Sequence, residues 1–235
     1  MVKLGVVGEN TIVEVDGNVT AKFVQDATVK AGGDVAVGSY IRSAHVSAGG
    51  SVRVEGSGGT VGGILGGEVW ATEAIVSKNV GSESTQTTTL SLGIDQASFE
   101  DYEKATRLAS RAQDLRLSLL KSIGISRLDA SEIKRCIRSQ PHRKHEILRY
   151  VQKANDLAIA EQEHQKVIND VGSRMRSASG NAHLDVSDIA YPKVTIRIGN
   201  ATTTLDTALK NVSFRLDSKE GVKAYDQSGT EEEPG

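Results

Sequence analysis

Cysteine and long apolar runs are almost absent from this sequence, and each shortage excludes a class of protein. The single cysteine, Cys136, cannot form a disulfide within the chain, which argues against a disulfide-stabilised secreted domain. No stretch of about 18 apolar residues occurs, and the N-terminus lacks the apolar segment of a secretory signal peptide. We therefore expect a cytoplasmic protein without a transmembrane segment.

Aromatic residues, proline and net charge are also scarce. Aromatics make up 4% of the chain, so the core must be filled mainly by Val, Ile, Leu and Ala. The formal net charge of -2 provides no bulk attraction to nucleic acid or to an anionic membrane. The 24 glycines against 3 prolines are typical of recurring tight turns and not of a disordered linker.

The chain divides into blocks of distinct composition. Residues 1–94 are rich in Gly, Val, Thr and Ser, whereas residues 95–180 contain little glycine and many Leu, Ala and charged residues. Residues 181–226 return to alternating apolar and polar residues, which is typical of strands. Residues 227–235 form an acidic tail that we predict to be disordered.

An internal repeat in the first block is the most informative feature of the sequence. Residues 23–37 align with residues 40–54 at an offset of 17, and each unit has two short alternating runs around an Ala-Gly-Gly turn. A unit of this length suits one coil of a parallel β-helix, with glycines at corners that need a positive φ. A sandwich of antiparallel hairpins is the alternative, but it would not keep a constant register.

The second block predicts two long helices that pair as an antiparallel coiled coil, with a short helix between them. A capping pattern at Ser98 begins the first helix and Gly124 ends it. Asp129 begins the short helix, Pro141 begins the second long helix, and Gly180 follows its end. A pair of ordinary core helices is the alternative, but the outer faces are too polar for burial. The predicted seam consists of Phe99, Tyr102, Ala105, Ala109, Ala112, Leu115, Leu119 and Ile123, facing Leu148, Val151, Ala154, Ala158, Ile168, Val171 and Met175.

Two strands are predicted in the third block, at residues 194–199 and 212–216. Because an antiparallel pair of helices returns the chain to its starting point, these strands can rejoin the solenoid and complete or cap its open end. A cap matters because an exposed coil edge templates aggregation.

Glycine-rich and β-type motifs lie at Ala31–Val35, Ala48–Val52, Gly62–Gly67, Asn79–Ser82 and Tyr191–Gly199. With these motifs and with its parts in this order, the chain resembles the flagellar assembly protein A family over nearly its whole length. The resemblance implies a mainly β fold with an α insertion, namely a right-handed parallel β-helix interrupted by a long antiparallel helical hairpin. It also implies a bacterial protein of flagellar assembly or cell-pole organisation, recruited from the cytoplasm to the pole, without catalytic residues or a cofactor.

The chain also departs from the family pattern. Lys193 stands where members commonly have glycine. Members usually carry a further N-terminal domain and more coils, so we expect this chain to be a short member or a part of a longer one.

Few residues are candidates for catalysis or metal binding. Asp26 and Asp34 are the outward carboxylates of the regular coils, and an enzyme acting on a polysaccharide or a nucleotide is the alternative function that they leave open. His142 and His145 share a helix face near Cys136, but this spacing does not ensure three convergent ligands, so no metal site is predicted. Cys136 lies on an apolar stripe and is predicted to be a core residue.

Basic residues concentrate between the two long helices. Residues 127–149 contain seven basic and three acidic side chains, a local charge of +4 in a chain of net charge -2. A solvated helix surface is the simplest interpretation, and a docking site for an acidic protein partner is the functional one. Nucleic-acid binding is less favoured because Tyr150 is the only aromatic beside these charges. The candidate docking residues are Arg127, Lys134, Arg135, Arg138, Arg143, Lys144 and Arg149.

These patterns together predict a non-catalytic scaffold and not an enzyme. The repeats indicate a rigid solenoid, and the heptads indicate a projecting coiled coil that is available for self-association or for docking protein partners. We expect a homo-oligomer.

Overall fold

The computed structural model describes residues 1–56, 62–83, 86–217 and 219–226, together with the backbone of residues 231–232. The chain forms two compact units. One consists of Met1–Gln96 and Ser173–Gly235 and is built mainly from strands, and the other consists of Ala97–Gly172 and is helical.

The strands of the first unit are short and belong to one continuous sheet of 16 strands in the described part of the chain. Before the helices come β1 (Val2–Val7), β2 (Ile12–Val15), β3 (Val19–Gln25), β4 (Thr28–Ala31), β5 (Val35–Val37), β6 (Tyr40–Ala48), β7 (Val52–Val54), β8 (Gly63–Ala71), β9 (Ala74–Val80) and β10 (Thr88–Leu92). After them come β11 (His183–Ala190), β12 (Val194–Ile198), β13 (Ala201–Thr204), β14 (Leu209–Asp217), β15 (Gly221–Asp226) and β16 (Glu231–Glu232).

Successive coils are joined by parallel strand pairing, so this unit is a β-solenoid as predicted. Thr28 pairs with His45 and Val35 pairs with Val52, which confirms the predicted offset of 17 residues between these two coils. The next coil is longer, because His45 pairs with Glu68. The alternating pattern of the strands thus produces columns of equivalent residues along the stack of coils.

One interior column shows how the coils are held together. Val29, Val46, Val69, Leu90 and Ile196 follow one another in register through five strands, and all five are fully buried. Each buried aliphatic side chain of this kind contributes about 1.5–3 kcal/mol relative to exposure to water. The stacked Val, Leu and Ile side chains explain how a chain with few aromatics builds a core.

The glycines of the Ala-Gly-Gly turns have a different role from the predicted one. Gly32 and Gly49 do not have positive φ, but a Cβ on Gly49 would collide with the carbonyl oxygen of Gly32 in the preceding coil. Positive φ in these regular coils belongs instead to Asn10, Asp26 and Ser43, at 57°, 49° and 46°. The prediction was wrong because close approach of neighbouring coils, and not backbone handedness, requires glycine at these turns.

The strands that follow the helices rejoin the solenoid. β11 pairs in parallel with β9, and β12 pairs in parallel with β10. Antiparallel pairing then begins: β13 pairs with β12, β14 with β11, β15 with β14, and β16 with β15. Of the predicted tail 227–235, the structure describes only the backbone of β16, and the rest lies outside the described residues.

Three α-helices and a short 3-10 helix follow one another between β10 and β11. They are α1 (Gln96–Ser122), α2 (Ala130–Ser139), the 3-10 helix (Pro141–Arg143) and α3 (Lys144–Ser179). Helix α1 begins two residues before Ser98, which therefore lies in the first turn and is not the N-cap that the sequence predicted. No helix in the described ranges combines the length and the apolar character needed to span a bilayer.

Two predicted helix termini, the end of α1 and the start of α2, agree with the structure. Gly124 has φ of 73°, which ends α1 as predicted. Asp129 is the N-cap of α2, and its side chain accepts hydrogen bonds from the backbone N–H groups of Ser131 and Glu132.

Helices α1 and α3 share contacts inside the helical unit. The Arg116 Nε lies 3.0 Å from the Glu161 Oε2, and Leu120 of α1 packs in one cluster with Ile147 of α3. Two seam predictions were wrong, because Leu115 is 49% exposed and Leu148 is 43% exposed. Near each of these two residues the inward-facing positions of the helix are spaced by four residues and not by three. The neighbouring residue therefore faces inward in its place.

Candidate functional site

The seven predicted docking residues lie on α2 and on the segments that flank it. Lys134, Arg135 and Arg138 belong to α2, and Arg127 precedes it. Six of the seven side chains are exposed to solvent. The exposed ones are Arg127, Lys134, Arg135, Arg138, Lys144 and Arg149.

The seventh, Arg143, is half-buried and engaged within the protein. Its Nε and Nη2 lie 3.0 and 3.1 Å from the two carboxylate oxygens of Glu146, and its Nη1 donates to the Gln140 Oε1 at 2.8 Å. This pairing lowers the pKa of Glu146 and raises that of Arg143. Arg143 therefore stabilises the connection between α2 and α3. The sequence alone did not distinguish it from the exposed basic residues nearby.

The acidic residues of this region are likewise engaged in local structure. The Asp129 carboxylate caps α2, chiefly through Ser131, and these hydrogen bonds lower its pKa. The Glu132 carboxylate accepts from the backbone N–H groups of Ser126 and Arg127, which lowers its pKa as well. With Glu146 paired to Arg143, all three carboxylates have structural partners.

The basic side chains of α2 and of the start of α3 have no such local compensation. Among the described residues, Lys134, Arg135, Arg138 and Lys144 form no ion pair within 4.0 Å. They form the basic surface, defined here by these four residues. Positive charge that no carboxylate of the protein pairs is the electrostatic feature that attracts an acidic partner.

Cys136 lies in the core of the helical unit. It is buried, and its Sγ donates to the carbonyl oxygen of Ile123 at 3.0 Å, so the prediction of a core residue is confirmed. The side chains of His142 and His145 are exposed. Nowhere in the described ranges do three His, Cys, Asp or Glu side chains form a group that could hold a metal ion.

A polar cluster on the outer face of the solenoid was not found from the sequence. The His45 Nδ1 lies 3.4 Å from the Glu68 Oε2, and the His45 Nε2 lies 2.6 Å from the Gln96 Oε1. The hydrogen bond with Glu68 raises the pKa of His45 against the opposing effect of burial, and it lowers the pKa of Glu68. The internal repeat predicted that His45 points outward. It gave no partner for His45, because Glu68 lies in a longer coil that does not follow the 17-residue spacing.

The neighbouring column on the same face brings together residues that are far apart in the chain. The Arg197 Cζ lies 5.7 Å from the centroid of the Trp70 ring, a cation–π contact that stabilises both side chains. Arg197 also contributes to the lowered pKa of Glu68 through its positive charge. The cluster thus brings together side chains of β6, β8 and β12.

The two carboxylates considered for catalysis line different cavities, and one of them is structural. The Asp34 Oδ1 accepts from the backbone N–H of Ser51 at 2.9 Å, and one coil earlier the Asn18 Oδ1 accepts from the backbone N–H of Asp34 at 3.0 Å. Asp26 lies at the corner with positive φ, where its Oδ2 accepts from Gln25. The hydrogen bonds of Asp34 join successive coils, whereas that of Asp26 is with the adjacent residue.

Comparison with known proteins agrees with this architecture. The family model described as the flagellar assembly protein A beta solenoid domain matches residues 1–221. No curated protein and no solved structure matches the chain. The match covers the regular coils, the helices and the strands that rejoin the solenoid, and so the chain belongs to the flagellar assembly protein A β-solenoid domain family.

Proposed function

We propose that this protein is a non-catalytic scaffold of flagellar assembly whose helical unit docks an acidic protein partner. The family indicates the process. The observation that supports the docking role is the basic surface, in which Lys134, Arg135, Arg138 and Lys144 are exposed while the neighbouring carboxylates are bound to the protein itself. Complementary charge of this kind accelerates encounter with an acidic partner and selects against basic ones.

We also propose the finer architecture that this function uses. The inserted segment 95–180 is an antiparallel hairpin, a proposal supported by the ion pair between Arg116 of α1 and Glu161 of α3 and by the cluster that the two helices share. Residues 181–226 complete the solenoid through β11 and β12. The coils are right-handed, which is the hand that parallel strand connections almost always adopt.

Self-association is the second part of the proposal. Within the described residues β1 pairs only with β3, and β2 only with β4, so no described strand pairs with the outer edge of the first coil. Val6 and Ile12 are exposed at that coil, by 57% and 71%. An open strand edge with exposed apolar side chains can pair with a second copy.

The docking role is tested in the bacterium that carries the gene. We expect the variant Lys134→Glu, Arg138→Glu, Lys144→Glu to lower the number of flagella and the swimming radius to the level of a gene deletion at unchanged protein amount. The matched control is Arg111→Glu, Lys153→Glu, Lys166→Glu, which makes the same charge change at exposed helix positions outside the basic surface. Normal flagellation of the first variant would contradict the proposal.

Binding to nucleic acid is the competing explanation for the same surface. It predicts a gel shift with a labelled duplex or single strand that disappears as salt rises and is lost in the triple variant. We expect no such shift at low salt.

A further inference from the structure

A groove lies within the helical unit beside the basic surface. It runs between the end of α1, the turn at Gly124 and helix α2. Leu117, Leu120 and Ile125 contribute apolar side chains to its lining, and Lys121 and Arg135 stand at its rim. The lining of the groove therefore combines apolar surface with positive charge.

The apolar side chains of the groove differ in how much surface they still offer. Leu120 is 1% exposed and Ile125 is 8% exposed, so both belong to the core of the helical unit. Leu117 is 47% exposed. A ligand side chain that covers Leu117 removes apolar surface from water, which is the main favourable term in association.

Several polar groups around the groove already have partners within the protein. The carbonyl oxygen of Leu120 accepts from the N–H groups of Ile123 and Ile125, and that of Cys136 accepts from Gln140. The Glu132 carboxylate is held by the Ser126 N–H. Recognition in this groove therefore depends on the apolar surface of Leu117 and on the positive charges of the rim.

We propose that this groove binds a short acidic segment of the partner protein, with one apolar side chain against Leu117 and its carboxylates facing Lys121 and Arg135. The proposal rests on the proposed docking function and adds a site and a ligand chemistry to it. Charge complementarity selects the ligand, because both rim side chains are basic and exposed. A membrane surface fits less well, because the apolar residues of α2, such as Ile133, pack into the cluster beneath instead of facing outward.

The test uses fluorescence anisotropy with two fluorescein-labelled peptides of equal charge. One carries glutamates on both sides of a single leucine, and the other has serine in place of the leucine. We expect the leucine peptide to bind the full-length chain about tenfold more tightly, the gain that burial of one leucine supplies. Leu117→Ser should reduce its affinity to that of the serine peptide, and Lys121→Glu with Arg135→Glu should weaken both peptides.

Leu115→Ser is the matched control, because Leu115 lies on the same helix, is 49% exposed and does not line the groove. It should leave both affinities unchanged. Equal affinity of the two peptides for the wild-type chain, or an unchanged leucine-peptide affinity in Leu117→Ser, would contradict peptide binding in the groove. Neither result would contradict the docking function itself. Failure of the docking function appears separately, as normal flagellation of the Lys134, Arg138 and Lys144 variant.

Discussion

At the scale of single residues, Lys193 has a backbone conformation that favours glycine. Lys193 has φ of 66° in the turn between β11 and β12, and its N–H donates to the carbonyl oxygen of Leu205 at 2.7 Å. The left-handed backbone costs a residue with a Cβ about 1 kcal/mol or more, whereas glycine adopts it freely. The geometry of the turn therefore favours glycine at this position.

Replacing Lys193 by glycine should stabilise the protein. We expect Lys193→Gly to raise the free energy of unfolding by about 0.5–1 kcal/mol, since the relief of strain exceeds the added chain entropy of the unfolded state. Urea unfolding of both proteins measures the difference. The control Lys210→Gly, at an exposed position inside strand β14, should lower stability by a similar amount. A loss of stability in Lys193→Gly would show that the side chain is needed elsewhere.

Asp34 and Arg143 show why a charged residue cannot be assigned a role from its type. Both have the charge that a functional site would use, but Asp34 binds the backbone of the next coil and Arg143 binds Glu146. In both cases the partner is a group that the fold brings close to the charged side chain. Only their geometry separates them from the charges that remain available to a partner.

At the scale of elements, neighbouring strands determine the electrostatics of the solenoid face. His45 of β6 and Glu68 of β8 lie opposite each other in the parallel pairing. The pKa of His45 is raised above 6.5, so its contribution to stability is fully present below that pH and is lost as the pH rises through the raised value. The pKa of Glu68 is lowered below 4.5, so its contribution is present above that pH and is lost as the pH falls through the lowered value.

The stabilising effect of this pair should therefore be largest between about pH 4.5 and pH 6.5. We expect Glu68→Gln to lower the free energy of unfolding by up to about 1 kcal/mol at pH 5.5, because the pair is half-exposed, and by less at pH 8.5. Two further charges also act on the pair: that of Lys30 lowers the pKa of His45, and that of Arg197 lowers the pKa of Glu68. Denaturant unfolding of both proteins at the two pH values measures the change, and an equal loss at both would contradict it.

The helices follow local rules at the turn between α1 and α2, whereas tertiary packing determines which residues are buried in their middles. Gly124 and the Asp129 cap were found from the sequence because caps depend on residues that are close in the chain. The burial of Leu115 was predicted wrongly, because a heptad count does not say where the stripe changes its step. At this position it is the neighbouring residue, Arg116, that contacts α3, through its ion pair with Glu161.

At the scale of the whole molecule, the two ends of the solenoid differ. Beyond β11 and β12 the sheet continues into antiparallel strands, whereas β1 and β2 leave an open edge in the described residues. An assembly that uses one open end pairs two copies and then closes, instead of growing into a filament.

Charges placed at the open edge should therefore prevent self-association. We expect the wild-type chain to form a discrete dimer and the variant Val6→Lys, Ile12→Lys to be a monomer in light scattering over a concentration series. Both side chains are exposed, so the substitutions should leave the fold intact. Ile159→Lys with Val167→Lys is the matched control, because these residues are exposed in the helical unit by 58% and 39%. Retention of the dimer in the first variant would place self-association elsewhere.

The sequence by itself determined the features that arise from short-range periodicity. The 17-residue repeat set the register of Thr28 with His45, and the apolar stripe of the short helix placed Cys136 inside, because both depend on spacing along the chain. Tertiary structure alone decided that Glu68 meets His45 and that Arg197 meets Trp70. The physical reason is that a longer coil and an inserted helical segment separate these residues in sequence, so only the stacking of the folded coils brings them into contact.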